Sequence, residues 1–331
     1  MRVIQSPLTR YIIRRLLYLI PTFFGILVLV FVASRLAGDP VRLMTGLNPR
    51  ITDAARQALT EYYGLDQPVY IQFFKYVWEL FQGDFGNSYA LRGGTAVTTL
   101  IGDFAWETFK LQLISLFFSL LIAIPVGILS ARKQYSKLDV SVTTVSLIGT
   151  CIPVFYMGIV GILVFSYFLG WFPPFGAHTL LAERYFLGNY TLDELWHLAL
   201  PGAILTFVSL APIVLLVRSS MLEILRQDYI LAARAGGLSE RTVVYKHALR
   251  NALIPVVTYV GLYFGGMLAG APITETVFNW PGVGRLYVDA VGKLDFPLIM
   301  GITVFITLMT LIANLVTDIT YAYIDPRIRY E

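Results

Sequence analysis

The chain has 331 residues, of which 56% are hydrophobic and only 14% charged, with a formal net charge of +4 and a mean hydropathy of +0.68. Soluble domains carry charge on about a quarter of their residues, so the composition excludes one and indicates an all-α polytopic membrane protein. A single cysteine, Cys151, excludes an internal disulfide, and His178, His197 and His247 have neither zinc spacing nor cysteine company, so redox and metal chemistry are not expected. Neither a cofactor nor a nucleic-acid partner is expected.

A helix rises about 1.5 Å per residue and the hydrocarbon core is about 30 Å thick, so a span needs roughly 20 mostly apolar residues. Six segments qualify, near 12–34, 111–131, 142–168, 197–217, 252–274 and 297–323. In the first, Arg10, Arg14 and Arg15 precede an apolar run as in a secretory signal, but that run exceeds the about 7 to 15 residues of a signal core and predicts a retained anchor. After it comes a long connection, 35–110, whose Arg35 to Thr108 stretch holds 8 acidic and 6 basic residues. Within it Val69 to Gln82 is rich in aromatics but short and carries Lys75 and Glu79, which predicts an interfacial or packed helix rather than a seventh span. Pro21, Pro125, Pro153, Pro201, Pro212, Pro255 and Pro272 fall in or beside spans, where each removes a backbone donor and favours a kink.

Six spans place both termini on one side. With the N-terminus inside, the inner segments hold 15 Lys+Arg against 6 Asp+Glu and the outer segments 10 against 14, with Asp318 inside a span. Under the positive-inside rule both termini and the segment 218–251 are cytoplasmic, and 35–110 is extracytoplasmic. The resulting division is 1–34 (N-terminus and first span), 35–110 (outer loop), 111–323 (five-helix core containing the loop 218–251) and 324–331 (tail).

Tyr229 to Asn251 is a polar, basic island between the fourth and fifth spans. Met221 to Ala235 has good helix formers, Gly236-Gly237 fits a helix stop, and Ser239 followed by Glu240 reads as the N-cap and first turn of a second helix. Ala232 and Ala233 let one face settle into a groove, ringed by Arg226, Arg234, Arg241, Lys246 and Arg250. An ordinary solvated loop, made basic by the positive-inside rule, has the same composition.

Ala232-Ala233-x-x-x-Gly237, followed after about ten residues by His247-Ala-Leu249, resembles the signature loop of binding-protein-dependent ATP-binding-cassette importer permeases. Leu231, where the general pattern has Glu, and Arg250, where it has Pro, resemble the dipeptide, oligopeptide and nickel branch. So do Gly38-Asp39-Pro40, Gly83-Asp-Phe-Gly-Asn-Ser88, His247-Ala-Leu-Arg-Asn-Ala252, Thr274-Glu-Thr-Val-Phe-Asn-Trp-Pro-Gly-Val-Gly284 and Asp325-Pro-Arg-Ile-Arg329. The resemblance implies a type I importer permease fold with six transmembrane helices, and a cytoplasmic coupling helix whose ATPase-contacting residues are Tyr229, Ala232, Ala233, Arg234, Gly237, Leu238, His247 and Arg250. It implies as partners a second homologous permease, two cytoplasmic ATP-binding subunits and an extracytoplasmic solute-binding protein, in a prokaryotic cell membrane whose lipid surrounds the chain. The implied cargo is a peptide, with oligosaccharides or nickel as alternatives.

The chain has no Gly-x-x-x-x-Gly-Lys-Ser/Thr phosphate loop, no Gly-x-Ser-x-Gly elbow and no His-Glu-x-x-His pair, so no catalytic residue is assigned and energy is expected from a partner. Gly261, Gly265, Gly266 and Gly270 form overlapping small-xxx-small patterns that permit close helix approach. Gly261, Gly265, Met267, Gly270, Glu275 and Trp280 are the candidates for a translocation pathway, with close packing and a turn that merely closes the bundle as the plainer alternatives. Asp318 is an intramembrane carboxylate. It is expected to pair with Arg14, Arg15 or Arg218, or else to be the ion site of an ion-coupled secondary transporter, the rival reading from another class. Asn189-Tyr-Thr191 is a formal glycosylation sequon.

Overall fold

The computed structural model describes residues 7–36, 38, 41, 52–62, 64–91, 93–179 and 190–324. Asp39-Pro40, Asn189 of the sequon, the side chain of Arg10 and the tail Asp325-Pro-Arg-Ile-Arg329 lie outside them. In chain order the elements are α1 (Pro7–Leu36), α2 (Asp53–Tyr62), α3 (Val69–Phe81), the short strands β1 (Asn87–Ser88) and β2 (Thr95–Ala96), α4 (Val97–Arg132), α5 (Lys137–Cys151) and α6 (Val154–Gly161). A π-helical stretch, Ile162–Phe168, extends α6. Then follow α7 (Tyr190–Ile224), α8 (Asp228–Ala235), α9 (Glu240–Thr242), a second π-helical stretch (Val243–Ala248), α10 (Leu249–Ala252), α11 (Ile254–Met267), α12 (Pro272–Val277), α13 (Val283–Gly292) and α14 (Phe296–Ile324).

Four of the six expected spans are continuous helices long and apolar enough to cross a membrane: within α1, α4, α7 and α14. The other two are not straight. The segment expected over 142–168 is the pair α5 and α6, bent by 99°. At the break Ile152 is extended (ψ 125°) and Pro153 opens α6, because the residue before a proline is pushed out of the helical region and proline cannot continue the hydrogen-bond ladder. The segment expected over 252–274 holds the 14-residue α11, a turn with Gly270 at φ 81°, and then α12, whose first residue is Pro272. Pro21, Pro125, Pro201 and Pro212 lie inside helices, whereas Pro153, Pro255 and Pro272 stand at helix starts, where the missing N–H costs nothing.

Contacts divide the chain into two units, Met1–Trp106 with Gly282–Glu331, and Glu107–Pro281. In the first, α1 packs along α14. One core is built on Leu27, Val77 and Val304, and a second joins Val97, Leu100 and Ile101 to Val283, Leu286, Ala290, Leu298 and Ile302. Gly301 makes that approach close: a Cβ there would lie 2.5 Å from Val97 Cγ1. The Gly83–Ser88 motif folds as a tight turn, with Asp84 Oδ1 accepting from the Gly86 amide at 2.8 Å and both glycines at positive φ, 79° and 78°. Its end is tied to the fully buried Asp295, just before α14, which accepts from Ser88 Oγ (2.6 Å) and from the amides of Ala90 (3.0 Å) and Leu91 (3.2 Å).

In the second unit α4 and α7 are joined by hydroxyl-to-carbonyl hydrogen bonds, Ser115 to Gly202 O (3.3 Å) and Ser119 to Thr206 O (3.0 Å). A Cβ on Gly127 would lie 2.7 Å from Val217. Small residues and hydroxyls of this kind hold helices together where lipid removes the usual hydrophobic drive.

Candidate functional site

The basic island is built from the end of α7 onward. The expectation of one helix over Met221 to Ala235 is corrected: α7 stops at Ile224, and a turn follows in which Arg226 N bonds Glu223 O and Gln227 N bonds Ile224 O. The turn lets Ile230, fully buried, rejoin a core that contains Met221, Val243, Val244 and Ala248. Burying a side chain of that size contributes about 1.5–3 kcal/mol, enough to set the direction of a short helix.

With Ile230 facing in, α8 turns other side chains out. Tyr229, Leu231 and Leu238 are 43%, 52% and 44% exposed, Ala232 and Arg250 are exposed, and Ala233 and His247 are half-buried. The helix ends in a Schellman motif: Leu238 N bonds Ala233 O (3.3 Å) and Gly237 N bonds Arg234 O (3.0 Å), with Gly237 at φ 80°. Arg234 then reaches Glu240 through two hydrogen bonds, Nε to Oε2 (3.1 Å) and Nη2 to Oε1 (2.9 Å). The guanidinium holds the Glu240 carboxyl below its ordinary range despite some desolvation. Ser239 caps α9, accepting from Thr242 N at 3.3 Å.

The π-helical stretch Val243–Ala248 turns Val243, Val244 and Ala248 inward, with His247 on its last turn. At its far side Asn251 Nδ2 donates to the Tyr229 hydroxyl at 2.8 Å. The structure therefore brings Tyr229, Ala232, Ala233, Arg234, Gly237 and Leu238 together on one short helix and its cap, closed at the base by Asn251.

Asp139 was not singled out by the sequence, yet it anchors the end of α7 that leads into this loop. It is 2% exposed. It accepts from Arg218 Nε (2.6 Å) and Nη2 (2.8 Å), from the Tyr135 amide (2.9 Å) and from Ser130. A signal was present, because Ser136-Lys-Leu-Asp139 before an apolar run is a capping-box pattern, and Ser136 Oγ does accept from Asp139 N at 3.3 Å. Arg218 is thus engaged with Asp139, and Asp318 lies 3.0 Å from Arg15 Nη1 within the first unit.

The pathway candidates divide. Gly261 and Gly270 are half-buried, and Gly265 and Met267 are buried on α11. Glu275 and Trp280 are fully buried. Glu275 accepts from Thr108 Oγ1 and Ala271 N, both at 3.0 Å, and Trp280 donates from Nε1 to Glu107 O at 3.1 Å. These two fix the turn after α11 inside the second unit.

The family model of binding-protein-dependent transport system inner membrane components matches residues 123–330. The chain belongs to that family, and it is a multi-pass membrane transport component. It is 44% identical over 321 residues to the oligopeptide transport system permease protein AppB of Bacillus subtilis (strain 168), covering 97% of this chain and 99% of that one. It is 40% identical over 343 residues, at the same coverages, to the di/tripeptide transport system permease protein DppB of Pseudomonas aeruginosa (strain UCBPP-PA14). A solved structure of the MetNI methionine transporter in inward-facing form matches with a TM-score of 0.49 at 19% identity, covering 66% of this chain and 94% of that one.

Proposed function

We propose that this chain is the permease subunit of a peptide importer driven by ATP, working with a second homologous permease, two ATP-binding subunits and an extracytoplasmic solute-binding protein. The charge bias supports cytoplasmic termini and a cytoplasmic island. The carrying observation is the construction of that island: an eight-residue helix with exposed Tyr229 and Leu231, ended by Gly237, clipped to Asn251, and packed through Ile230 on a core shared with Met221, Val243, Val244 and Ala248.

A helix of this kind transmits force. Arg234 and Glu240 hold its far end, Ile230 its inner face and Asp139–Arg218 the end of α7 that leads into it. Movement of an ATPase cleft around Tyr229, Ala232, Ala233, Leu238, His247 and Arg250 then reaches α7 and α11 as movement of whole helices. Gly261, Gly265, Met267 and Gly270 on or after α11 are proposed to border the pathway, with Glu275 and Trp280 fixing the turn beyond it.

The test is ATP-dependent peptide uptake into proteoliposomes containing the co-purified complex. Gly237→Asp and Ala233→Arg are expected to insert normally and lose uptake; normal uptake in both would sink the coupling assignment. Uptake that persists without ATP and collapses with the proton gradient would favour an ion-coupled transporter. The ligand that co-purifies with the binding protein separates peptide from oligosaccharide and nickel.

A further inference from the structure

A cavity of about 480 Å³ lies between the end of α1, one face of α3 and the start of α14, wholly within the first unit. Gln72, Lys75, Tyr76 and Glu79 line it from α3, at the spacing that puts four side chains on one helical face. The other side of the same helix carries Tyr70, Phe74, Trp78 and Phe81, which are 65%, 68%, 66% and 68% exposed. Phe31, Phe296 and Met300 give the cavity an apolar floor, and Arg35 stands at its edge, 5.1 Å over the Phe31 ring.

Two polar groups in this wall are left unsatisfied by the protein. Gln72 is 9% exposed and donates its amide nitrogen to Leu65 O (3.3 Å) and Gln67 O (2.7 Å), while its Oε1 is buried with no partner. The Tyr76 hydroxyl is likewise buried with no hydrogen bond, its ring stacked on Phe31 at 5.9 Å. Burial pushes the Tyr76 phenol and the Glu79 carboxyl up. Each orphaned group costs about 1–3 kcal/mol, so two of them on residues that line one cavity point to a ligand whose entry turns these side chains toward it and supplies their missing hydrogen bonds.

The charges specify the rest. Gln72 Oε1, the Tyr76 oxygen and the Glu79 carboxylate offer acceptors for an ammonium, while Lys75, 3.9 Å from Glu79, and Arg35 offer cations for a neighbouring anion. The cavity also sits where the apolar run of α1 ends at Arg35 and where α3 shows an aromatic face, the signs of headgroup depth in a bilayer. We propose that it is a binding site for the headgroup of an ethanolamine phospholipid, with the ammonium on Gln72, Tyr76 and Glu79, the phosphate at Lys75 and Arg35, and the glycerol end over Phe31, Phe296 and Met300. A choline headgroup has no N–H to give Gln72, and a glycerol headgroup has no ammonium for Glu79.

The test is native mass spectrometry of the full-length chain, purified with its co-purifying subunits, delipidated and offered dioleoyl lipids with ethanolamine, choline or glycerol heads. Ethanolamine lipid is expected to be retained about tenfold more tightly than the other two, the effect of one or two charge-assisted hydrogen bonds. Tyr76→Phe and Glu79→Gln, neither of which removes a core contact, are each expected to erase most of that preference without lowering the unfolding temperature. Equal retention of the three lipids, or a preference that survives both variants, would overturn the proposal. So would displacement of the lipid by equimolar free phosphoethanolamine or trialanine, which share the zwitterionic chemistry but not the membrane anchor. The readout does not involve transport, so its outcome is independent of the importer assignment.

Discussion

Tyr229 and Asn251, 22 positions apart in sequence, are joined by a 2.8 Å hydrogen bond from the Asn251 amide to the Tyr229 hydroxyl. The two ends of the polar island therefore meet, and the loop is a closed clip. An exposed hydrogen bond contributes about 0.5–1.5 kcal/mol, too little to decide whether the chain folds. Tyr229→Phe, which keeps the apolar surface and removes the clip, is expected to leave insertion and thermal stability intact while lowering peptide transported per ATP hydrolysed several-fold. An unchanged ratio would show that the clip plays no part in coupling.

Gly237 has φ 80° and open space around its Cα, so substitution there carries a backbone cost without a clash. That cost is about 1–2 kcal/mol for most side chains and less for asparagine. Thermal unfolding of the purified complex is expected to rank Gly237 above Asn, Asn above Ala, and Ala above Val. A flat series would mean that the Schellman end of α8 opens freely.

The Arg234–Glu240 pair gives a pH dependence of defined sign. Glu240 is depressed below its ordinary value by Arg234, so its contribution is fully present above the unfolded-state value of about 4.3 and is lost as pH falls through the folded value. Both side chains are partly exposed, which limits the pair to about 0.2–1 kcal/mol after screening. The stability difference between the native chain and Glu240→Gln is expected at pH 7, to shrink with added salt, and to vanish once the pH has fallen below the depressed folded-state value. A difference that persists under acid would remove the ion pair as its cause.

Arg15 and Asp318, 3.0 Å apart, join the two ends of the chain within the first unit. If the carboxylate serves α1–α14 packing, Arg15→Leu with Asp318→Leu should yield more assembled protein than either single change, because a lone intramembrane charge costs more than none. If it binds an ion instead, the double variant would assemble and fail to transport under every driving force.

Gly301 faces Val97 at a separation that leaves no room for a side chain. Gly301→Leu is expected to destabilise the first unit by about 1–3 kcal/mol or more through overpacking, read as a lower unfolding temperature, and Gly301→Ala should be partly rescued by Val97→Ala. No rescue would mean that the strain is taken up elsewhere along α14.

Much of the fold was legible because a membrane imposes a simple rule: an apolar run of sufficient length must satisfy its own backbone hydrogen bonds as a helix. Thus α1, α4, α7 and α14 sit where hydropathy put them, and α3 is the short aromatic helix expected from Val69 to Gln82. The Gly236-Gly237 stop and the Ser239 cap were legible too, since both act on the adjacent backbone. The turn at Arg226 was not, because the helix formers on either side of it are equally good and the deciding contact, Ile230 against Val243 and Val244, lies further along the chain. Asp139 was missed for the same reason: its partner Arg218 is 79 positions away.

By itself, then, the sequence determined membrane residence, the main spans, the charge bias and the family-like loop, all properties carried by local hydropathy, spacing and residue type. Only the tertiary structure decided which charges meet, that Asp318 takes Arg15 and Arg218 takes Asp139. It also decided that the span near 142–168 bends by 99°, that Glu275 and Trp280 are interior, and that Gln72 and Tyr76 face a common cavity. Pairing and burial depend on positions far apart in the chain, which no periodicity within one helix encodes.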